Sequence, residues 1–358
     1  MKVLAAERND LRANLSEIRT RAGSAELIAD LSGDGQGLGL LRMARFLADE
    51  GVQSFAVSDA WDAVNLRRGG FTQEHILMLR SISDPAVLRE LMNCGVTFAV
   101  GSSEAGIALN ALAGELSTVA EARILVDTGL GQYGFLPSET DKMLNVFRQM
   151  PGLAVTGMTT RLGSGEKTKT LNARYQTFRK TAEALRAQGV ETGMLLALDS
   201  EALLRCEFEV QSAVLADGAL LGRIPGKHPA LRRIGTVEAT LEEMKWLPEG
   251  SVVGEGRGKR LRSPARIAVL EMGWMNGIGL LRKPERADSP LRALRKLLSA
   301  YRFKPVFRVN GKRAPVLGRV GANGVVLDVT KCNANPGDRA VTDADPRLLR
   351  LLPVELRG

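Results

Sequence analysis

Residues 154–197 read AVTGMTTRLGSGEKTKTLNARYQTFRKTAEALRAQGVETGMLLA, and this stretch decides the fold class. It opens with a short apolar run, 154–158, and closes with another, 193–197, each of strand length. Between them Leu171, Tyr175, Phe178, Ala182 and Leu185 recur at spacings of 4, 3, 4 and 3. That rhythm puts all five on one face of a helix, and Gly189 just beyond it is a stop signal. Strand, helix, strand is the repeating unit of a parallel sheet.

The same alternation runs through residues 1–225. Apolar runs stand at 26–31 (ELIADL), 53–57 (QSFAV), 76–79 (ILML), 96–100 (VTFAV), 123–127 (RILVD), 154–158, 193–197 and 213–217 (AVLAD). Helical patterns lie between them at 37–50, 83–93, 103–116, 137–149 and 170–188. Eight such strands predict an α/β fold, a closed (β/α)8 barrel of the TIM type, with an open doubly wound sheet as the alternative. In such a barrel the chemistry sits at the C-terminal strand ends.

Past residue 230 the texture changes. Alternating runs at 234–240, 266–272, 304–309, 315–320 and 324–329 are broken by Gly, Pro and Asn, as in an antiparallel β domain. A basic helical pattern, PLRALRKLLSA, occupies 290–300. The expected division is a barrel over 1–228 and a C-terminal antiparallel β domain over 229–358.

Composition narrows the function. The chain has 358 residues, 44% hydrophobic and 25% charged, as a globular protein does. No run of 18 or more apolar residues predicts a membrane span, and MKVLAAERNDLRANL lacks an apolar signal core, so a cytoplasmic location is expected. Cys94, Cys206 and Cys332 are scattered, which is no disulfide framework. Two histidines, His75 and His228, argue against a His-rich zinc site, and no metal is expected. The net charge of +9 looks like a nucleic-acid signal until it is divided. Residues 226–358 hold 26 Lys+Arg against 13 Asp+Glu, leaving 23 and 27 of the totals of 49 and 40 for residues 1–225. The second part is thus +13 and the first −4. The excess, including GRGKRLR at 256–262, suggests an acidic partner for the β domain rather than specific nucleic-acid binding.

Several phrases, in order, carry a resemblance: FAVSDAWDAVNLRRGGF (55–71), VDTGLGQYGFLPSE (126–139), VTGM (155–158), DSEAL (199–203), LGRIPG (221–226), RIAVLEMGWMNG (266–277), LGRVGANGVVLDVT (317–330) and PGDRAV (336–341). Over nearly its whole length the chain resembles the alanine racemase family. The resemblance implies a barrel followed by a β domain, fold-type-III PLP chemistry and a head-to-tail homodimer. The site positions diverge from the family's pattern. The family's Schiff-base lysine, in a V-K-A-D-A-Y-G-H-G phrase, falls on Ser32 of LSGDGQGLG (31–39), and its phosphate-side tyrosine falls on Gln36. No lysine occurs between Lys2 and Lys142. The family's second base, a tyrosine in G-Y-x-D-G, falls on Trp274, whose indole N–H donates only. The arginine beside the PLP phenolic oxygen falls on Gln132, a carbamylated lysine of some members on Leu125, and the histidine of the T-H-F phrase on Arg161. The asparagine before the phosphate serine falls on Asp199, the pyridine-side arginine on Leu215, and a phosphate-side glycine on Asp217. A turn tyrosine falls on Glu255, and the substrate-contacting Met-Asp pair on Ala322 and Asn323. Ser200 alone keeps a phosphate-binding identity.

These replacements share a physical direction. A carboxylate about 4 Å from a phosphate costs on the order of several kcal/mol at an effective dielectric of ~20, and Asp199 and Asp217 fall on phosphate-side positions. From sequence, therefore, no covalently bound PLP is expected. A non-racemase acting by ligand binding or partner contacts is the leading expectation. The alternatives are a PLP-independent enzyme using Ser32, Asp34, Arg161, Asp199 and Glu255, and an active alanine racemase whose alignment differs. The glycine-rich 33–39 segment resembles a phosphate cradle before a helix but lacks a P-loop's Lys-Ser/Thr ending. Trp274 is expected to plug the former pocket.

Overall fold

The computed structural model of the chain describes residues 1–210, 212–226, 228–254, 258–280 and 305–358. Strand β1 (Lys2–Glu7) opens the chain, and the apolar runs expected from sequence follow as β2 (Glu26–Asp30), β3 (Ser54–Val57), β4 (His75–Ser81), β5 (Thr97–Val100), β6 (Ala120–Val126), β7 (Leu153–Thr160), β8 (Met194–Asp199) and β9 (Ala213–Ala216). β2 to β9 close into an eight-stranded parallel barrel. Closure is the β2–β9 pairing, with Ile28 opposite Leu215. Ile28, Ala56, Leu77, Leu79, Leu196, Ala213 and Leu215 fill a layer of the interior.

Four helices of this unit start where the sequence supplies an N-cap. Asp59 accepts the Trp61 N–H, Asp84 those of Ala86 and Val87 ahead of Pro85, Ser102 that of Ala105, and Asp199 that of Ala202. Each such cap contributes about 1 kcal/mol. The helix Thr168–Ala187 buries Leu171, Tyr175, Phe178, Ala182 and Leu185, the face its spacing predicts. Burying one such side chain contributes about 1.5–3 kcal/mol. Buried Asn14 donates to the Leu220 and Arg232 carbonyls and accepts the Arg232 N–H, tying the first helix, Arg8–Ala22, to the far end of the unit.

The chain divides into two compact units, Leu11–Arg232 and the pair Met1–Asp10 with Arg233–Gly358. Sequence reading grouped residues 1–10 with the barrel; strand pairing groups them otherwise. The second unit adds β10 (Thr236–Thr240), β11 (Glu243–Leu247), β12 (Val252–Val253), β13 (Lys259–Arg260), β14 (Ala265–Leu270), β15 (Phe307–Val309), β16 (Lys312–Ala314), β17 (Val316–Leu317), β18 (Val325–Asp328), β19 (Arg339–Asp343) and β20 (Val354–Arg357). One sheet has the order β16-β15-β19-β10-β1-β20, a second β11-β14-β18-β17, and β12 pairs with β13. β1 lies antiparallel to β10 and parallel to β20, the one parallel contact among these otherwise antiparallel pairings. Eight strands already close the barrel. The apolar run Val3–Ala6, buried throughout, is paired instead within the six-stranded sheet. The basic pattern at 290–300 lies outside the described residues.

Candidate functional site: the barrel mouth

The C-terminal strand ends gather Asp30 from β2, Ser58 and Asp59 after β3, Arg80 from β4, Asp127 after β6, Arg161 after β7, Asp199 from β8 and Asp217 after β9. Of these, Ser58, Asp59, Arg80, Asp127 and Arg161 line a cavity of ≈ 320 Å³, together with Leu125 and Gln132 among others. A smaller hollow beside it is lined by Thr160, Arg161, Asp199 and Leu215. Among the described residues, no lysine lines either hollow.

The glycine-rich segment 33–39 is explained by backbone conformation. Gly33, Asp34, Gly35, Gln36 and Gly37 all have positive φ, from 58 to 82°, forming one left-handed turn. Such a conformation costs a non-glycine residue about 1–2 kcal/mol, so Asp34 and Gln36 need compensation. Asp34 Oδ1 accepts the Leu40 N–H at 2.8 Å. Buried Gln36 donates its amide to the Asp30 carbonyl at 3.2 Å. A Cβ on Gly35 would stand 3.0 Å from the Met43 Cβ and 3.1 Å from the Leu40 N. The glycines thus serve the turn, and the helix start at Leu40 meets the chain's own carboxylate. Asp34 is exposed and joins the mouth only through its charge.

Ser32 stands just past β2. Its N–H donates to Asp30 Oδ1 at 2.9 Å, and its hydroxyl lies 2.9 Å from that of Ser58. Arg80, which sequence reasoning missed, donates from Nε to the Ser58 carbonyl at 2.6 Å. Asp127 accepts the N–H groups of Gly129, Leu130 and Gln132. Burial works against its charge, but these bonds outweigh it and hold the carboxyl below its ordinary range. Its DTG setting was the available signal: a carboxylate before a glycine-rich turn accepts the turn's N–H groups.

On the opposite wall the buried Ser200 hydroxyl donates to Asp217 Oδ1 and accepts the N–H groups of Asp217 and Ala219, both at 3.2 Å. Burial, then the charge of Asp217, pushes the Asp199 carboxyl up to about 8. Burial also raises Asp217 and Asp30. Arg161 opposes all three shifts. Asp62, desolvated and near Asp59, Asp34 and Asp30, is pushed up to about 6. Several carboxyls here share fewer than one negative charge each at neutral pH, as like charges at close quarters must. The arrangement can hold and release protons, and it favours a positively charged group. Leu215 lies inside the apolar layer.

Of the remaining expected positions, Trp274 and Ala322 come together in the second unit. The Trp274 N–H donates to the Gly321 carbonyl and the Met275 N–H to the Ala322 carbonyl. Gly273 is required there, since a Cβ would meet the Ala322 carbonyl oxygen at 2.2 Å. Trp274 is 53% exposed rather than a buried plug, and Asn323 is exposed. Glu255 lies outside the described residues. Among the described residues no group of His, Cys, Asp and Glu has the makings of a metal site, and no helix is long and apolar enough to cross a membrane.

Comparison with known proteins gives a consistent answer. The family model for the alanine racemase N-terminal domain matches residues 7–215, and that for the alanine racemase C-terminal domain matches 234–344. The alanine racemase of Clostridium novyi is 24% identical over 330 residues, covering 90% of this chain and 80% of that protein. The structure of alanine racemase from D-cycloserine-producing Streptomyces lavendulae matches with a TM-score of 0.83 at 21% identity, over 100% of this chain and 97% of that one. The alanine racemase of Bartonella henselae with covalently bound pyridoxal phosphate matches with a TM-score of 0.80 at 17% identity, over 99% of both chains. That bound group corrects the expectation of no cofactor. Carboxylates near the phosphate-side positions do not exclude PLP from a fold that holds it in a relative. Fit is a separate matter. The mouth presents hydroxyl and carboxyl groups where an imine needs an amine, and the Ser200 hydroxyl is engaged by Asp217.

Proposed function

This chain belongs to the alanine racemase family, and from that premise we propose that its barrel mouth captures an amine-bearing ligand without two-base racemisation. The observation that carries the reading is the set of carboxyls at the strand ends, Asp30, Asp199 and Asp217, with Arg161 beside them. An ammonium group entering this mouth draws the shared protons off the carboxyls and gains charge-assisted hydrogen bonds. Arg80 and Arg161, both lining the larger cavity, meet an anionic part of the same ligand. The reading also rests on the alignment that puts Ser32 at the family's lysine and Trp274 at its tyrosine. The test offers PLP and alanine together. Purified protein is incubated with both, reduced with borohydride and assayed for alanine interconversion. No interconversion, with saturable stabilisation by amine-bearing ligands that is lost in Asp199→Ala, is expected. A reduced lysine adduct accompanied by interconversion overturns the reading.

Asp199, with its carboxyl raised to about 8, favours a second reading in which mouth carboxyls move a proton on a bound substrate. Turnover whose pH profile shifts in Asp217→Asn would put that reading first. Assembly as a homodimer and an acidic partner for the basic second unit complete the proposal. Sedimentation and polyanion titration test them.

A further inference from the structure

The opposite end of the barrel departs from the usual pattern. The interior of such barrels is filled by layers of branched apolar side chains, and their N-terminal face serves stability. Here the lowest layer is polar, and a cavity of ≈ 280 Å³ opens there, lined by Glu26, Ser54, Thr97, Glu121, Arg123 and Thr156 among others. His75 and Thr156, exposed at its rim, leave it open to solvent. The apolar layer of Ile28, Leu77, Leu196 and Leu215 stands between this cavity and the mouth.

Arg123 is the key residue. It is 7% exposed, and its Nε and Nη1 are buried without a hydrogen-bond partner among the described residues. A buried cation in that condition costs several kcal/mol until its N–H groups are satisfied. Burial lowers the Arg123 proton affinity, and Glu26 and Glu121 oppose that effect through their charge. Neither carboxylate closes on the guanidinium. Each is held by a hydroxyl of a neighbouring strand: Ser54 donates to Glu26 Oε1, and Thr156 donates to Glu121 Oε1 at 2.9 Å. The result is a fixed cation beside two fixed anions, with a void between the barrel walls.

We propose that this cavity is a second binding site, for a small zwitterion of the amino-acid class. A carboxylate on the ligand pairs with the Arg123 guanidinium that lines the cavity. An ammonium on the same ligand meets Glu26 and Glu121. A simple anion would face two carboxylates, and a simple cation would face the guanidinium, so only a molecule carrying both charges satisfies all three groups.

The test is calorimetry with glycine as probe, beside acetate and methylammonium at equal ionic strength, on the full chain. Glycine should bind saturably, and neither half-probe should match it. Arg123→Met should weaken glycine by about thirtyfold or more, as expected when one partner of a buried charge pair is removed, and Glu26→Gln should weaken it less. Arg123→Met should also unfold at or above the wild-type temperature, because it removes an unpaired buried charge; this separates lost binding from lost folding. Asp199→Asn, at the mouth, should keep the Arg123-dependent component, so the two sites fail or stand separately. Three outcomes overturn the proposal: no glycine binding, equal affinity in Arg123→Met, or acetate binding as tightly as glycine.

Discussion

Asp199→Asn offers a direct measure of the proton-holding mouth. The wild-type carboxyl is pushed from 3.8 up to about 8 by burial and by Asp217. In the unfolded chain it ionises near 3.8, while in the folded chain it keeps its proton to about 8. Between those values the unfolded state binds fewer protons, so wild-type stability falls as pH rises. The contribution is fully present below about pH 4 and fully lost above about pH 8. At about 1.4 kcal/mol per pKa unit, the window sets a ceiling of roughly 6 kcal/mol. Removing one charge also relieves Asp217, and Arg161 offsets part of the rest, so roughly 2 kcal/mol is expected. Asparagine caps a helix about as well as aspartate, so the bond to the Ala202 N–H survives and the substitution isolates the charge. For a unit of this size 1 kcal/mol moves Tm by about 2–4 °C. Asp199→Asn should therefore gain roughly 4–8 °C on wild type between pH 4 and 8.5, read by calorimetry across buffers of constant ionic strength. Parallel Tm profiles over that range, or a wild type that gains on the variant as pH rises, would refute the reasoning.

Other substitutions probe the frame around the mouth. Gly35→Ala forces a Cβ into a positive-φ position 3.0 Å from Met43 and should cost about 1–3 kcal/mol in urea unfolding. Phe178→Ala empties a fully buried site on the long helix and should cost about 3–5 kcal/mol; a loss under 1 kcal/mol would mean the site collapses. If the basic second unit binds a polyanion, heparin affinity should fall steeply between 50 and 200 mM salt, and a flat salt dependence would remove the acidic-partner proposal.

Much of the architecture was legible in the sequence. Each of the eight apolar runs became a barrel strand, and the long helix buried the face its spacing marked. Local burial leaves a periodic trace, so period and length suffice to read it. In the second unit the runs at 234–240, 266–272 and 324–329 correspond to β10, β14 and β18, whereas β11, β19 and β20 were not read. β11 runs over EMKWL with only Met244 and Leu247 even half-buried. An exposed strand carries little alternation to detect.

The site was less legible. Ser32, Asp199, Ser200 and Asp217 were named from sequence, and the structure brings Asp199, Ser200 and Asp217 together. Asp30, Arg80 and Asp127 were not named, because each sits at the end of an apolar run and looks like its flank. Asp34 was assigned to the pocket but turns outward to the Leu40 N–H.

The sequence by itself determined the strand count, the helix faces and the change of texture after residue 230, because each is written in neighbouring residues. The tertiary structure decided what depends on residues far apart. It set β1 beside β10, with Lys2 opposite Ala239, since a six-residue apolar run does not encode its distant partner. It raised Asp199 by burying it and by bringing up Asp217, and it left the Arg123 N–H groups buried among strands that meet only when the barrel closes. Desolvation and charge coupling act through space, and only closure of the barrel brings these groups within range of one another.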